Sequence, residues 1–342
     1  MIGVIGGGGW GTALAKICAE KGHSVTIWVR EPEIAEEINQ SHTNHTFLPG
    51  IILPSSIKAS NSMSEVVTGN KYLITSAPSQ WLRSVAKEMK PFVASDTIII
   101  SASKGLEIQS LKMMNQVLEE ELPMVDPNAI IALSGPTHAE EAALGVPTTI
   151  VVSTPKLSFA EAVQDLLISS YFRVYTNPDR VGVQLGGSLK NVIALAAGIS
   201  EGLGFGDNTK AALVTRGMVE IARLGAAMGA KTPTFAGLSG MGDLFVTAFS
   251  KHSRNSWAGR ELGKGRSLAE ITQSTKMVIE GVSTARAAYQ LADELKVEMP
   301  ITSITYQILY EGISPQDGVR RLMERVRTHE MEDIVSATYT WL

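Results

Sequence analysis

The first fifteen residues constrain the fold of this chain more than any other stretch. Met1 to Ile5 is a short apolar run typical of a buried strand, and Gly6, Gly8 and Gly11 follow in the spacing G-x-G-x-x-G before good helix formers. Glycines at this spacing allow a tight turn, a close approach of the backbone to a pyrophosphate and tight packing of helix on strand, while the first helical amides face the anion. The stretch therefore predicts a strand-turn-helix dinucleotide site; a flexible glycine loop is the alternative.

Length and composition are typical of a folded protein with two domains. A chain of 342 residues is too long for one hydrophobic core, and roughly 100 to 200 residues per domain predict two domains. Hydrophobic residues make up 44% of the chain and charged residues 19%, which excludes a disordered protein. The net charge of -4 argues against a general nucleic-acid binder, because nothing offsets phosphate repulsion over the surface. A local basic cluster could still bind one phosphorylated small molecule.

Cysteine usage and hydropathy indicate the compartment. Cys18, the only cysteine, cannot form an internal disulfide, which favours a reducing cytosol, and its place in the first helical run predicts a packed thiol. The start of the chain lacks the basic region of a signal peptide. The longest apolar stretch, Val192 to Ile199, is too short to cross a bilayer. We therefore expect a cytoplasmic protein that does not bind membranes.

The end of the second predicted strand, Val25 to Val29, is where a dinucleotide-binding protein selects its cofactor. An acidic residue about 20 residues past the glycines would hydrogen-bond the ribose 2′-hydroxyl of NAD, whereas an arginine can pair with the 2′-phosphate of NADP. Arg30 stands at this point, with Glu31 beside it. The sequence favours NADP without excluding NAD; the alternative is that Arg30 is a solvated charge at the strand end.

Further strand-like runs are separated by helical patterns. They are Tyr72 to Ser76, Thr97 to Ser101, Ile130 to Leu133, Thr148 to Val152 and Phe172 to Tyr175. This alternation predicts an α/β Rossmann-type domain with a mostly parallel sheet and helices on both faces. Ligand-binding groups in such sheets lie at the carboxyl ends of the strands.

Three of these strands are followed by segments that carry polar chemistry. The segments are Ala77-Pro78-Ser79-Gln80, Ser103-Lys104-Gly105-Leu106-Glu107 and Ser134-Gly135-Pro136-Thr137-His138-Ala139. Since strand ends meet at one edge of the sheet, Lys104 and several backbone amides are expected near the glycine loop; an exposed turn lysine is the alternative. His138 is interpreted as a polar residue at a helix start, although histidine is a candidate acid-base group by type. No metal site is expected.

The character of the chain changes at Asn177-Pro178-Asp179-Arg180, after which helical patterns joined by glycine turns replace the strands. We place the domain boundary here, with a dinucleotide-binding domain over 1–179 and an all-α substrate domain over 180–342. The first helix of the second domain, Val181 to about Ile199, contains Lys190 among apolar and small residues. A charge is costly to bury unless it is required, and burial lowers the pKa of a lysine toward the range of a general base. A lysine whose amine reaches solvent is the alternative.

Two later segments offer groups for a polar substrate. Leu238-Ser239-Gly240-Met241-Gly242-Asp243 is a glycine turn that carries a carboxylate, and His252-Ser253-Arg254-Asn255-Ser256 opens a helix with a hydroxyl, a guanidinium and an amide. Helix-start amides together with an arginine favour a phosphate group. The second segment therefore predicts a phosphate site; the alternative is that Ser253 serves only as an N-cap.

Seven segments, in the same order along nearly the whole chain, resemble the NAD(P)-dependent glycerol-3-phosphate dehydrogenase family of the bacterial type. They are Gly6 to Leu14, Ala77-Pro78-Ser79-Gln80, Ser103-Lys104-Gly105-Leu106-Glu107, Ser134-Gly135-Pro136-Thr137, Leu185 to Ala197, Gly240-Met241-Gly242-Asp243 and Ser253-Arg254-Asn255. Each motif alone is weak, but seven in order are highly specific.

The resemblance implies a role for each matching residue. Lys190 matches the catalytic base of the family. The positions that bind substrate are matched by Lys104, Gly135, Thr137, Lys190, Asp243, Ser253, Arg254 and Asn255. The positions that contact the cofactor are matched by Gly6, Gly8, Gly9, Trp10, Gly11, Arg30, Lys104, Ala139, Arg254, Val278 and Glu280. Thr137 and Gly9 stand where the family often has serine, so the hydroxyl is kept at the first position and lost at the second.

The resemblance further implies a reversible hydride transfer that reduces dihydroxyacetone phosphate to sn-glycerol 3-phosphate for glycerophospholipid synthesis, in a cytoplasmic homodimer. Two other classes stay open. A dehydrogenase acting on another hydroxy acid would share the glycine loop and the lysine but would need a carboxylate pocket, which a substrate panel tests. A non-enzymatic NAD(P) sensor would need neither Lys190 nor Asp243, so Lys190→Ala would leave its output unchanged.

Overall fold

One eight-stranded sheet organises the N-terminal part of this computed structural model, which describes residues 1–275 and 277–327. The strands are β1 (Ile2–Ile5), β2 (Val25–Trp28), β3 (Lys58–Ser60), β4 (Tyr72–Thr75), β5 (Ile98–Ser101), β6 (Ile130–Ser134), β7 (Thr148–Ser153) and β8 (Phe172–Asn177). Their spatial order is β3-β2-β1-β4-β5-β6-β7-β8, and all neighbours are parallel except β6 and β7. The mostly parallel sheet predicted from the sequence is confirmed.

The order of the strands reverses at β1, which pairs with β2 on one side and with β4 on the other. In a parallel sheet, such a reversal opens a crevice at the carboxyl ends of the two central strands. The glycine loop follows β1 directly. Topology therefore places this loop at the point where the sheet is best suited to bind a ligand.

Helices connect the strands of this first part. They are α1 (Gly9–Glu20), α2 (Pro32–Ser41), α3 (Met63–Val67), α4 (Leu82–Met89), α5 (Met114–Glu121), α6 (Ala139–Ala143) and α7 (Leu157–Leu167). The central strands are buried because they carry runs of Ile, Val and Leu, as expected for a sheet covered on both faces. Cys18 in α1 is fully buried, and desolvation raises the pKa of its thiol to about 12. The predicted packed thiol is confirmed.

The chain divides into two compact units, one comprising residues 1–107 and 112–184 and the other 108–111 together with the chain from Leu185 onward. The predicted boundary after Asp179 coincides with the start of α8, whereas the division between the units falls after Gln184. The helices are α8 (Arg180–Gly202), α9 (Asp207–Ala227), α10 (Thr232–Phe235), α11 (Asp243–Phe249), α12 (Arg254–Gly263), α13 (Leu268–Gln273), α14 (Glu280–Leu295), α15 (Pro300–Tyr306) and α16 (Pro315–Met323). Residues 328–342 of the predicted second domain lie outside the described residues.

The described part of the second unit contains helices and turns but no strand. No helix within residues 1–275 and 277–327 is both long and apolar enough to cross a membrane.

Glycines set the spacing of α8 and α12 in the second unit. A Cβ added to Gly198 would overlap the carbonyl oxygen of Ser256, and one added to Gly259 would overlap that of Leu195. The two helix backbones are therefore in direct contact, at a distance that no larger residue permits. This contact fixes the position of α12 relative to α8, which carries Lys190.

Candidate active site

The glycine loop has the backbone that its spacing predicts. Gly6 follows β1 with a φ of 120°, a conformation that favours glycine, and Gly8 is the N-cap residue of α1. A Cβ on Gly11 would overlap the carbonyl oxygen of Gly6, so this glycine is required for the helix to pack on the turn. A Cβ on Gly8, in contrast, would meet no protein atom within 4 Å. The loop thus has the tight turn and the open backbone that a pyrophosphate needs.

The absence of a side chain at Gly9 has a steric explanation. A Cβ at this position would lie 2.6 Å from the carbonyl oxygen of Phe47 and 3.7 Å from the Cβ of Ala139. Ala139 begins α6, and half-buried Trp10 follows Gly9 in α1. A serine could be accommodated at position 9 only if the backbone at Phe47 moved. The close approach of the Phe47 carbonyl therefore explains why glycine stands at position 9 in this chain.

Arg30 lies just beyond β2 with an exposed side chain. Its Nε and Nη2 donate hydrogen bonds to Oε1 of Glu31, over 3.1 and 2.8 Å. The guanidinium is thus at the strand end where selection between NAD and NADP is expected, paired with the acidic residue beside it.

The segments after β5 and β6 come together as expected from their strand ends. Lys104 Nζ donates a hydrogen bond to the carbonyl oxygen of Gly135 over 3.3 Å, and Thr137 Oγ1 donates to the same oxygen over 3.3 Å. Lys104 is half-buried. The structure therefore brings Lys104, Gly135 and Thr137 into one cluster.

A bidentate ion pair, which was not predicted from the sequence, anchors the segment that carries Lys104. Arg83 Nε and Nη2 donate to the two carboxylate oxygens of Glu107 over 2.9 and 2.8 Å, and Arg83 Nη1 donates to Glu121 over 2.6 Å. A bidentate pair of this kind restricts both position and orientation. Arg83 stands in an ordinary helical pattern, so nothing local marked it as a partner of Glu107.

Lys190 is buried within the second unit, with 6% of the residue exposed. Its Nζ forms an ion pair with Oδ1 of fully buried Asp243 and donates to Thr247 Oγ1 over 2.7 Å. Thr247 Oγ1 in turn donates to the Asp243 carbonyl oxygen over 2.7 Å. A buried ammonium is stabilised only by such partners, so the structure excludes a lysine whose amine extends into solvent. We call Lys190, Asp243 and Thr247 the lysine centre.

Asp243 was predicted from the sequence as a site residue, whereas Thr247 was not. The signal was available, because residues i and i+4 of a helix lie on one face, and α11 begins at Asp243. A hydroxyl four residues after a carboxylate at a helix start is a common pattern, however. Only the position of Lys190 beside both groups makes it meaningful.

The start of α12 is polar and cationic. Ser253 is the N-cap and accepts a hydrogen bond from the Ser256 amide over 3.2 Å, while Arg254 is exposed and its Nη1 donates to the carbonyl oxygen of Val278 over 3.1 Å. A cavity of about 260 Å³ opens here. It is lined by Lys251, His252, Ser253, Arg254, Trp257, Ser274 and Thr275. Two cationic side chains and a helix N-terminus suit this cavity to an anion.

Asn255 is buried and joins three helices. Its Nδ2 donates to Oδ1 of Asn191 in α8 over 2.9 Å, and its Oδ1 accepts from the amide of Gly281 in α14 over 2.8 Å. Glu280 is the first residue of α14. These bonds hold the start of α12 against α8, the helix that carries Lys190, a role that the sequence did not indicate.

A second cavity of this unit lies elsewhere. It has a volume of about 520 Å³, and the described residues that line it include Ile199, Ile301 and Met323 but none of the predicted site residues. Across residues 1–275 and 277–327, no three His, Cys, Asp or Glu side chains are grouped so as to hold a metal ion.

Comparison with known proteins relates both units to one family. Residues 1–160 match the family model described as NAD-dependent glycerol-3-phosphate dehydrogenase N-terminus, and residues 179–320 match the corresponding C-terminus. Proteins of Bacillus thuringiensis and Bacillus anthracis named glycerol-3-phosphate dehydrogenase [NAD(P)+] are 52% identical to this chain over 333 residues, which is 97% of this chain and 98% of each relative.

Solved structures agree. The glycerol-3-phosphate dehydrogenase of Coxiella burnetii is 36% identical, with a TM-score of 0.91 over 95% of this chain and 98% of that one. The enzyme of the same name from Saccharomyces cerevisiae is 28% identical, with a TM-score of 0.80 over 94% of this chain and 99% of that one. Sequence and fold together show that the chain belongs to the NAD-dependent glycerol-3-phosphate dehydrogenase family.

Proposed function

We propose that this chain reduces dihydroxyacetone phosphate to sn-glycerol 3-phosphate with NAD(P)H, reversibly, and that Lys190 is its general acid and base. As a member of its family the chain is an NAD(P)-dependent oxidoreductase. The observation that carries the role of Lys190 is the lysine centre, in which a buried ammonium is held by Asp243 and Thr247.

The proton chemistry of the proposal follows from these contacts. When bound, the nicotinamide cofactor supplies a hydride to C2 of the substrate or accepts one from it. During reduction the ammonium of Lys190 donates a proton to the C2 oxygen, and during oxidation its amine accepts that proton. Asp243 and Thr247 fix the orientation of Nζ, so that little reorganisation is needed as charge develops. Positioning of the substrate supplies much of the remaining rate.

The substrate is proposed to be held by its phosphate and its hydroxyl groups. Arg254, next to the cavity at the start of α12, would pair with the phosphate, together with the first amides of that helix. The full set of proposed substrate residues is Lys104, Gly135, Thr137, Lys190, Asp243, Ser253, Arg254 and Asn255.

The cofactor is proposed to bind at the glycine loop, where the open backbone at Gly8 and the N-terminus of α1 suit a pyrophosphate. Arg30 would favour NADP by pairing with the 2′-phosphate, at the expense of its bonds to Glu31. The full set of proposed cofactor residues is Gly6, Gly8, Gly9, Trp10, Gly11, Arg30, Lys104, Ala139, Arg254, Val278 and Glu280.

The reaction is tested by following nicotinamide absorbance when the purified protein is mixed with dihydroxyacetone phosphate and either NADPH or NADH. We expect rapid oxidation, faster with NADPH at limiting cofactor. Demonstrated dinucleotide binding without turnover would instead favour a dehydrogenase for another hydroxy acid, to be sought with a substrate panel, or a sensor.

The biological setting extends the proposal. We propose a cytoplasmic homodimer whose product enters glycerophospholipid synthesis. Sedimentation of the purified protein tests the dimer, and fractionation of cells tests the compartment.

Replacing Arg254 should weaken substrate binding. Arg254→Ala removes a cation from the proposed phosphate site, so the KM for dihydroxyacetone phosphate should rise about tenfold or more, as for loss of a charge-assisted hydrogen bond. Steady-state kinetics measures this. Arg260, in the same helix but paired with Glu201, provides the control, since Arg260→Ala should leave that KM unchanged. An unchanged KM in Arg254→Ala would remove Arg254 from the phosphate site.

Replacing Arg30 should change cofactor preference. Arg30→Ala should raise the Kd for NADPH by about tenfold and that for NADH by much less, because only NADPH carries the 2′-phosphate. Fluorescence titration of each cofactor measures both values. Arg173→Ala removes another arginine of the first unit, stacked on Tyr175, and should affect neither. Equal losses for the two cofactors would contradict the assignment.

A further inference from the structure

The glycine loop has an intrinsic weakness in this chain. Gly6, Gly7, Gly8 and Gly9 are consecutive, and glycine has the greatest backbone freedom of all residues. A run of this kind can rotate its peptide planes cheaply, yet an anion site requires amides that already point at the ligand. Some part of the fold must therefore hold the loop in one conformation.

Asn44 provides this restraint. It is 1% exposed and lies between α2 and β3. Its Nδ2 donates to the carbonyl oxygen of Gly7 over 2.8 Å and to Thr12 Oγ1 over 2.9 Å. Thr12 Oγ1 donates to the same Gly7 oxygen over 3.2 Å. The Gly7 carbonyl thus accepts hydrogen bonds from two buried side chains that also bond to each other.

The segment around Asn44 is itself anchored. Asn44 Oδ1 accepts from the amide of Phe47 over 3.2 Å. On the other side, Glu37 in α2 accepts from Thr43 Oγ1 and from the His45 amide, each over 2.8 Å. The chain therefore holds Asn44 in place from both flanks, and the Phe47 carbonyl closes against Gly9 as described above.

The geometry of a trans peptide turns this restraint into a functional one. The carbonyl of Gly7 and the N–H of Gly8 belong to one planar peptide and point in opposite directions. When Asn44 and Thr12 hold the carbonyl, the Gly8 N–H must point away from them. Gly8 is the N-cap residue of α1, so this N–H lies at the N-terminus of that helix. We propose that Asn44 is a positioning residue for dinucleotide binding, which acts with Thr12 to preset the Gly7–Gly8 peptide for the cofactor pyrophosphate. The inference rests on the proposed cofactor site at the glycine loop.

The test is the affinity for ADP-ribose, NADH and NADPH, each of which carries the pyrophosphate. Asn44→Asp keeps the shape and the acceptor for Phe47 but loses the donors to Gly7. The Kd for all three ligands should rise about tenfold, by the same factor for NADH and NADPH. Thr12→Val, which removes the hydroxyl that donates to Gly7, should also raise these Kd values. Thr12→Ser keeps that hydroxyl, so its Kd values should match those of the unsubstituted protein. Asn39, which makes two hydrogen bonds of 2.8 Å to Ala59 in the same unit, supplies the control Asn39→Asp, for which no change in Kd is expected.

Gly8→Ala tests the proposed pyrophosphate site independently of the hydrogen bonds that Asn44 and Thr12 donate to the Gly7 carbonyl. This variant should weaken ADP-ribose binding without lowering Tm, since its methyl meets no protein atom within 4 Å. If Gly8→Ala weakens binding while Asn44→Asp and Thr12→Val leave Kd unchanged, the positioning role is wrong and the loop assignment stands. If Gly8→Ala has no effect, the glycine loop is not the pyrophosphate site, and the positioning role of Asn44 fails with it. If Asn39→Asp weakens binding as much as Asn44→Asp, the effect is general destabilisation and the proposal is overturned.

Discussion

Lys190→Ala is expected to lower turnover of dihydroxyacetone phosphate about a hundredfold or more while cofactor binding is kept. The reason is that the variant removes the only proposed proton donor and leaves the buried Asp243 without the ammonium that it contacts. Stopped-flow and steady-state rates with NADPH, together with a cofactor titration, measure the two quantities separately.

Lys210 offers a matched control for this variant. It also lies in the second unit and pairs with a carboxylate, Glu201, over 2.9 Å, but it is outside the proposed site. Lys210→Ala should therefore turn over normally. Near-normal turnover in Lys190→Ala would refute the acid-base role, whatever the structural cost of the substitution.

Gly259→Ala is expected to disrupt the second unit. The added methyl would overlap the Leu195 carbonyl oxygen and lie 2.8 Å from the Ile199 amide, so α8 and α12 would have to separate. Although alanine favours a helix over glycine, overpacking against backbone should lower the free energy of unfolding by about 1–3 kcal/mol. Activity should fall as well, because α8 carries Lys190 and α12 carries Arg254. Urea unfolding followed by circular dichroism measures the stability.

Gly318 in α16 provides the comparison. An added Cβ there would meet the side-chain ends of Ile304 and Ile308 at 2.9 Å, and side chains of this kind can adjust where a helix backbone cannot. Gly318→Ala should therefore gain helix propensity at little packing cost. A Gly259 variant as stable as the Gly318 variant would show that α8 and α12 do not require the glycine contact.

The strands and helices that form around local apolar patterns were predictable from the sequence. The glycine spacing before α1 predicted the strand-turn-helix unit, because its requirements are met within a dozen residues. The strand β3 was missed, since Lys58, Ala59 and Ser60 carry no apolar run and form a strand only by pairing with β2. The reversed direction of β7 and β8 was likewise not encoded in their apolar runs.

The candidate site divides in the same way. The sequence by itself showed which residues were unusual for their surroundings. Lys190 is a charge in an apolar helix, where burial is costly, and Arg30 follows the strand at whose end a cofactor is selected. Both features can be seen in a few neighbouring residues. The tertiary structure decided which groups Lys190 contacts, namely Asp243 and Thr247. It also made two pairs that no local pattern marked, Arg83 with Glu107 and Asn44 with the Gly7 carbonyl. Contacts between residues this far apart in the chain depend on how helices and strands pack, and a local pattern contains no record of that packing.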